Sequence, residues 1–561
     1  MAVGVTTLGG RTALFGGASG LDTSALITAA YNARKLPSDR LQTKISDNTT
    51  KIASYSKLQS LSQSVQTSLT NLKKNYSVLS TNASLFDGRT GTLSSSSTTS
   101  AQSLLSVAID AGTDLSSYEI EVQQKALAHK VGGNSATTDK AVALGLAGTF
   151  DLGVASGTPV TINMTAGMSL TDLADAINSQ KDTSGVSASI LKTSTTGFEL
   201  VLSATDTNKS ITVTNITGTD VLQNLGVLDA GGGFANEIQV AQGAIITLDG
   251  TPVTRDTNDF SDLITGVGLT VKNAEPGTLI QLNIENDTTN LESGIQAFVD
   301  SYNALRDFIN TNQTVLNGVP SEDAVLFGDF SMKGLSGDIQ SLLASNYGAT
   351  TSTMQNLRDL GITLDGSNKL VVDATKLSDA IKNNYDEVRA IFETSATSDN
   401  TEFRMIANTS KSTSLSAAID ITYSGGAITD VSVGGDNTLF DISGTLITGK
   451  AGTAYEGMSF AYVGTTSTTV NFTMGQGLAD LLANTIEDYS STVDGSIQGQ
   501  KISLDELNKD MNERSSRILE RADDYRQKLI DRYSNFESQI ARAQTVLAQI
   551  QAILNANNNN D

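Results

Sequence analysis

The sequence predicts an α+β multidomain chain. Its N- and C-terminal segments form an α-helical coiled-coil stalk, and β-rich head domains are nested between them. Three observations predict this. From Gln500 to Asn560 there is no Pro or Gly, and apolar residues recur in steps of three and four: Ile518, Ala522, Tyr525, Leu529, Tyr533, Phe536, Ile540, Ala543, Leu547, Ile550, Leu554. A second stripe of the same period runs through Leu41, Ile45, Ile52, Tyr55, Leu58, Val65, Leu69, Leu72 and Tyr76, with Asn48 and Ser62 as polar breaks. Between the stripes the period changes to the alternation of strands.

The C-terminal stripe spans on the order of 80 Å of helix at about 1.5 Å per residue. Neither flank holds enough apolar sequence to cover it, so the expectation is that the two chain ends pair and loop out everything between them. The alternative is two separate amphipathic helices, each packed on its own local domain. Two adjacent four-residue steps, Tyr525 to Leu529 to Tyr533, break the strict heptad and locally unwind a left-handed supercoil. Asp510 with Arg514, Glu513 with Arg517, and Asp524 with Lys528 are acid-then-base pairs four apart, the signature of a solvated helix face.

Pro37 is expected to end or bend the first helical region near Leu36. Residues 1–20, with Gly pairs at 9–10 and 16–17, read as flexible. The Ser/Thr tract Ser94–Ser100 separates the first helical region from the strand-rich middle of the chain. Alternation over Ser117–Val122, Val160–Met164, Gly197–Leu202 and Ile211–Thr214 predicts strands, and Ser169 is the expected N-cap of a short helix reaching Asn178. More strands are expected at Ile245–Leu248, Thr270–Val271 and Leu279–Ile284, with Asp259–Ile264 as a short helical turn. Helix returns at Leu291, a hairpin is expected over Gly361–Asp373, and residues 396–474 read as a β insertion with strands such as Tyr423–Val433 and Met458–Val463. From Leu478 the chain is expected to be helical to its end.

The expected map assigns 1–44 and 520–561 to a flexible, coiled-coil leg. It assigns 45–104, 290–395 and 475–519 to a helical stalk domain, 105–135 and 235–289 to a β-rich head domain, and 136–234 to an outer α+β head domain.

The chain has 561 residues, 49 Gly, 5 Pro, no Cys and no Trp. Without cysteine there is no disulfide framework, thiolate metal site or cysteine nucleophile. No run approaches the roughly twenty apolar residues of a membrane span, and the first thirty residues lack a basic start followed by an apolar block, so no cleaved secretory signal is expected. Residues 1–80 carry nine basic and three acidic side chains, whereas residues 81–501 carry 20 basic and 47 acidic. The acidic middle repels nucleic acid and anionic membrane, so neither is an expected partner.

No active site is legible, and no enzyme, metal or cofactor is expected. His129 is the only histidine; without a carboxylate or Cys partner in view it reads as a surface or packing residue. Gly444–Lys450 (GTLITGK) approaches a phosphate loop, but Ala451 lacks the Mg²⁺-binding hydroxyl, so a β-turn is the better reading. Asp365–Asn368 lacks the spaced ligands of a calcium loop and also reads as a turn. The candidate interaction residues are those of the two stripes.

Several short motifs, in order along nearly the whole chain, resemble the flagellar filament cap, or hook-associated protein 2, family. Ser19–Asp22 (SGLD) matches its early motif. Ala188–Ile190 after Ala176–Asn178 is similar to the "IN" segment of flagellar axial proteins. Leu248–Gly250, Arg255–Asn258 and Ile264–Leu269 resemble one signature, Phe298–Asn303 (FVDSYN) another, and Leu360–Ile362, Asp365–Gly366 and Leu370–Asp373 a hairpin signature. Phe536–Glu537 matches the end of the terminal coil in part.

The resemblance implies a secreted homo-oligomeric ring, often a pentamer, at the distal filament tip. It implies partners in flagellin, other axial proteins and a type III export chaperone, and, for some members, adhesion to mucin. Competing readings are another axial protein (a flagellin or a hook–filament junction protein), a surface adhesin with a coiled stalk, or a glycan hydrolase, for which no acid pair in a cleft is identified.

Overall fold

The computed structural model describes residues 4–8, 11–15, 18–74, 76, 83–195, 197–348, 352–412 and 414–558. Two compact units result. One combines residues 1–80 with 292–561; the other is residues 81–291.

The first unit is built on two long helices. The N helix spans Thr23–Thr70 and starts at Asp22, whose side chain accepts from the Ala25 N–H. The C helix spans Ser496–Asn558. Pro37 neither ends nor breaks the N helix. Proline removes one N–H, so the Ala33 carbonyl loses its helical partner, but Leu36 and Pro37 lie on the exposed face where water serves instead. The residues either side of it, Arg34 and Ser38, are both fastened to the C helix.

The C-terminal region is not one helix from Leu478. The helix Leu478–Ser490 stops, and the C helix begins at Ser496 after five intervening residues. Gly495 closes this break where a Cβ would sit 2.5 Å from the Ser491 carbonyl oxygen. The Ser490 carbonyl, left without a helical partner, is taken by the N helix, which also bonds a carbonyl inside the helix. Gln59 and Gln63 both donate to the Ser490 carbonyl at 3.1 Å, and Gln66 donates to that of Ala483 at 3.0 Å.

Around this base pack the helices Thr288–Gln313 and Phe330–Leu343. Tyr55, Leu58, Val65, Leu69 and Leu72 are buried there, as are Phe298, Leu305, Met332, Leu335, Leu481, Leu482 and Ile486. Ile362–Leu364 pairs with Leu370–Val372 as the expected hairpin, and Asp365 accepts the Ser367 and Lys369 N–H groups inside its turn.

The β insertion is two four-stranded antiparallel sheets enclosing one core. Phe403, Phe460 and Phe472 form its aromatic centre, with ring centroids 5.0–6.0 Å apart. Tyr423–Val433 is not one strand: Ser414–Ser424 and Ala427–Val433 are separate, joined through Gly425 and Gly426 at φ +63° and +87°. The GTLITGK segment begins as the expected turn at residues 444–445 and continues as the strand Leu446–Gly449, paired with Phe440–Ser443.

The second unit holds two cores. In one, a five-stranded sheet (Thr251–Arg255, Ala244–Leu248, Ser116–Gln124, Leu279–Asn286, Arg89–Ser95) and a three-stranded sheet enclose Ile120, Ile246, Phe260, Leu269 and Leu282. Asp259–Ile264 is a strand of the smaller sheet, not a helical turn; its pairing with Val267–Val271 buries Phe260. The start of the Ser/Thr tract also belongs to a strand, Arg89–Ser95.

In the other core, four- and three-stranded sheets pack with the helix Leu170–Asn178, whose start is a capping box between Ser169 and Asp172. His129 is buried and has the carboxylate partner that sequence reasoning missed. Its Nδ1 accepts the Ile211 N–H at 2.8 Å and its Nε2 lies 2.7 Å from Glu237, 108 residues away. It acts as a packing residue that ties three strands together.

Candidate functional site

The N and C helices run antiparallel along each other. Lys501 donates to Gln59 at 3.0 Å and Asn48 to Asn508 at 2.9 Å. Gln42 donates to Ser515 at 3.0 Å, and the Ser38 and Ser515 hydroxyls meet at 2.7 Å. Farther along, the Arg34 guanidinium sits 3.7 Å from the Tyr525 ring centroid, and that of Arg526 sits 4.7 Å from Tyr31. Each step toward the start of one helix is a step toward the end of the other.

The stripes therefore meet, but their members do not fare alike. Tyr55, Val65, Leu69 and Leu72 are buried in the helical base; Leu41, Ile45 and Ile52 are half-buried. On the C helix, Ile518, Tyr525, Leu529 and Ile540 are half-buried, while Phe536, Leu547 and Ile550 are exposed. Sequence reasoning missed the polar seam. Ser38, Gln59, Asn508 and Ser515 are all buried. Their signal was present as polar residues at stripe spacing, of which only Asn48 and Ser62 stood out. The acid–base pairs Asp510–Arg514 and Glu513–Arg517 lie on the solvated face as expected.

At the far end of the pair the SGLD motif returns to the C helix. The buried Glu537 carboxylate accepts the Ala18 and Ser19 N–H groups, each at 3.1 Å, and the Ser19 hydroxyl. Gln544, two turns on, donates to the Ala18 carbonyl at 2.8 Å. Gly20 comes next at φ +73°, a conformation glycine adopts without strain, and turns the chain into the N helix. The preceding residues are a β-hairpin, Gly4–Leu8 with Arg11–Phe15, where a flexible segment was expected; the Gly pairs at 9–10 and 16–17 lie outside the described residues.

At the base, Tyr55 donates to Asp329 at 2.5 Å; burial, and then that carboxylate, push its hydroxyl well above the usual phenol range. Asp480 is buried beside Thr394, whose hydroxyl donates to it at 2.6 Å. Desolvation raises its pKa, against the opposing pull of that hydrogen bond and of Lys73. Among the described residues no group of three or more His, Asp or Glu side chains is placed to hold a metal, and no helix is long and apolar enough to cross a membrane.

Residues 241–545 match the family profile described as flagellar hook-associated protein 2 C-terminus, and residues 19–129 the profile of its N-terminus. The chain belongs to the flagellar hook-associated protein 2 family. A third profile, the flagellin hook IN motif, matches residues 149–206. The two hook-associated protein 2 profiles include the two halves of the latch, Ser19 and Glu537.

Among curated relatives, the B-type flagellar hook-associated protein 2 of Pseudomonas aeruginosa is 31% identical over 63% of this chain and 74% of its own. The flagellar hook-associated protein 2 of Aeromonas caviae is 31% identical over 41% of this chain, and the match spans only about half, 51%, of that relative. A crystal structure of the D1-D2-D3 domains of the flagellar cap protein FliD from Escherichia coli aligns with 81% of this chain and 99% of its own, at 20% identity and TM-score 0.48.

Proposed function

We propose that this protein is a structural cap at the distal tip of the bacterial flagellar filament. Copies assemble into a ring, five on the family resemblance, that retains exported flagellin and guides each subunit into the lattice. No catalytic step is needed: flagellin polymerises by burying its own apolar surface, and the cap supplies an orienting cavity. The chain reaches the tip through the flagellar type III route with an export chaperone. The paired helices are the leg that stands on the filament, and the candidate stripes serve as its internal seam and, where exposed, as its docking surface.

The observation that supports this reading best is the leg itself. Two family segments, one from each end of the chain, close on each other through Glu537 and Ser19. A long helical pair made from both chain ends suits attachment to a helical filament better than it suits an adhesive stalk with one chain end.

The test is complementation of a strain lacking its cap. The full chain is expected to restore motility and to appear at filament ends by negative-stain imaging. A chain lacking residues 1–40 or 520–561 is expected to keep its folded β domains and fail. Normal swimming with either truncation, or long self-assembled filaments from the purified chain, would overturn the reading in favour of another axial role.

A further inference from the structure

The β insertion has an open edge. Among the described residues, each of its two sheets ends there in a strand with a single neighbour. Ser395–Ser398 pairs with Thr468–Gly475, and Phe403–Asn408 pairs with Met458–Tyr462. These two edge strands are consecutive in the chain, and both line one cleft of about 310 Å³. Its cause is a mismatch of side-chain size. Ala396 and Ser398 line it from one strand and are small; Phe403 and Met405 line it from the other and are large. Close-packed interiors leave few voids wider than a water molecule, whereas this volume is at the lower end of small-molecule sites.

The lining divides by chemistry. Its floor is apolar: Phe403, Met405 and Phe472 are buried members of the insertion core. Tyr76, which follows the N helix, also lines it. The Tyr76 hydroxyl already donates to the Thr394 carbonyl at 2.7 Å, so what it offers a ligand is its ring. The charged residues of the lining are Lys74 and Arg404, both exposed and both cationic, and no carboxylate lines the cleft. That sign runs against its surroundings. Residues 396–474 carry three basic and seven acidic side chains. Two of the three bases are paired, Lys411 with Asp488 and Lys450 with Asp441. Among the described residues, Arg404 is the one base of the insertion without an ion-pair partner.

We infer that this cleft binds a small organic anion, a carboxylate carried on a short apolar body. The floor and the Tyr76 ring cover the body, which leaves water at no polar cost. Lys74 and Arg404 meet the carboxylate at the rim, where charge-assisted hydrogen bonds form without burying a bare charge. In a chain of net charge −23 this pair of cations makes a local field that attracts an anion instead of repelling it. Once bound, the ligand bridges the segment that follows the N helix and the edge of the insertion. The site does not depend on the capping role.

The test titrates octanoate into the full purified chain by calorimetry. Octanol supplies the same body without the charge, and acetate the charge without the body. One octanoate per chain is expected, bound at least on the order of tenfold tighter than either control. Lys74→Gln with Arg404→Gln is expected to bring octanoate down to the affinity of octanol, with the melting temperature of the free chain unchanged because both sites are exposed. Lys411→Gln with Lys450→Gln removes the same charge elsewhere on the insertion and is expected to leave octanoate binding unaltered. Ala396→Leu fills the cleft and is expected to remove the binding of octanoate and octanol alike. No saturable octanoate binding, equal affinity for octanoate and octanol, or an octanoate affinity that survives Lys74→Gln with Arg404→Gln overturns the inference. So does an equal loss with Lys411→Gln and Lys450→Gln, the mark of a diffuse charge effect.

Discussion

The two halves of the N helix do different jobs with the same backbone. From Tyr55 to Leu69 its buried positions are mostly apolar, Tyr55, Leu58, Val65 and Leu69 with Gln59 and Ser62 between them, and they sit in the helical base. From Thr23 to Ile52 only Thr23, Ile27 and Ser38 are buried, and the contacts to the C helix include polar ones, from Ser38, Gln42 and Asn48 to Ser515 and Asn508. Apolar burial is strong but indifferent to register; a buried amide or hydroxyl pair is weak but intolerant of a shift. The base holds the structure together, and the leg is aligned rather than glued.

The sharpest way to break that contrast is truncation. Leu58→Ala or Leu69→Ala in the base is expected to cost about 2–5 kcal/mol, and Ile45→Ala in the leg below about 1.5 kcal/mol; hydrogen exchange of the N helix reads both. Equal losses would dissolve the distinction. Next in size is Glu537→Ala, which strips three donors of their acceptor. About 1–3 kcal/mol of local stability is expected to go, seen as faster exchange of the Ala18 and Ser19 amides with the global transition unmoved.

Replacing Asn48 and Asn508 together by Leu is expected to change stability by only about 1 kcal/mol, in the stabilising direction, while loosening register. Cysteine pairs placed one turn out of step would then cross-link.

The smallest effect concerns Asp480. Its pKa is raised in the folded state, so its contribution is fully present below the ordinary carboxylate range and is lost as pH rises through the elevated value. Asp480→Asn keeps an acceptor for Thr394 and is expected to raise the melting temperature near pH 7. The gap to the native chain should close as pH falls toward 4.

Periodicity alone made the long helices and most strands legible, because amphipathic faces repeat over many turns. It failed where tertiary contacts overrule local preference. Pro37 stays helical because its neighbours are fastened to a distant segment, and Asp259–Ile264 is a strand because Phe260 has a core to fill. The stripes were visible as candidate contact residues, but the seam was not. A buried serine looks like an exposed one until its partner, more than four hundred residues away, is known. Glu537 was visible only as half of a partial motif match, and the fold supplies the other half in Ser19.

The pairing has a kinetic consequence. Ser19 and Glu537 are separated by 518 residues, so no part of the latch can close until almost the entire polypeptide is available. Domains with local contacts fold first and shorten the effective tether between the ends. The leg is therefore the final element to form whenever this chain is released gradually from one end. Until then the long helix released first, beyond the marginal length for isolated stability but rich in polar residues, waits unpaired.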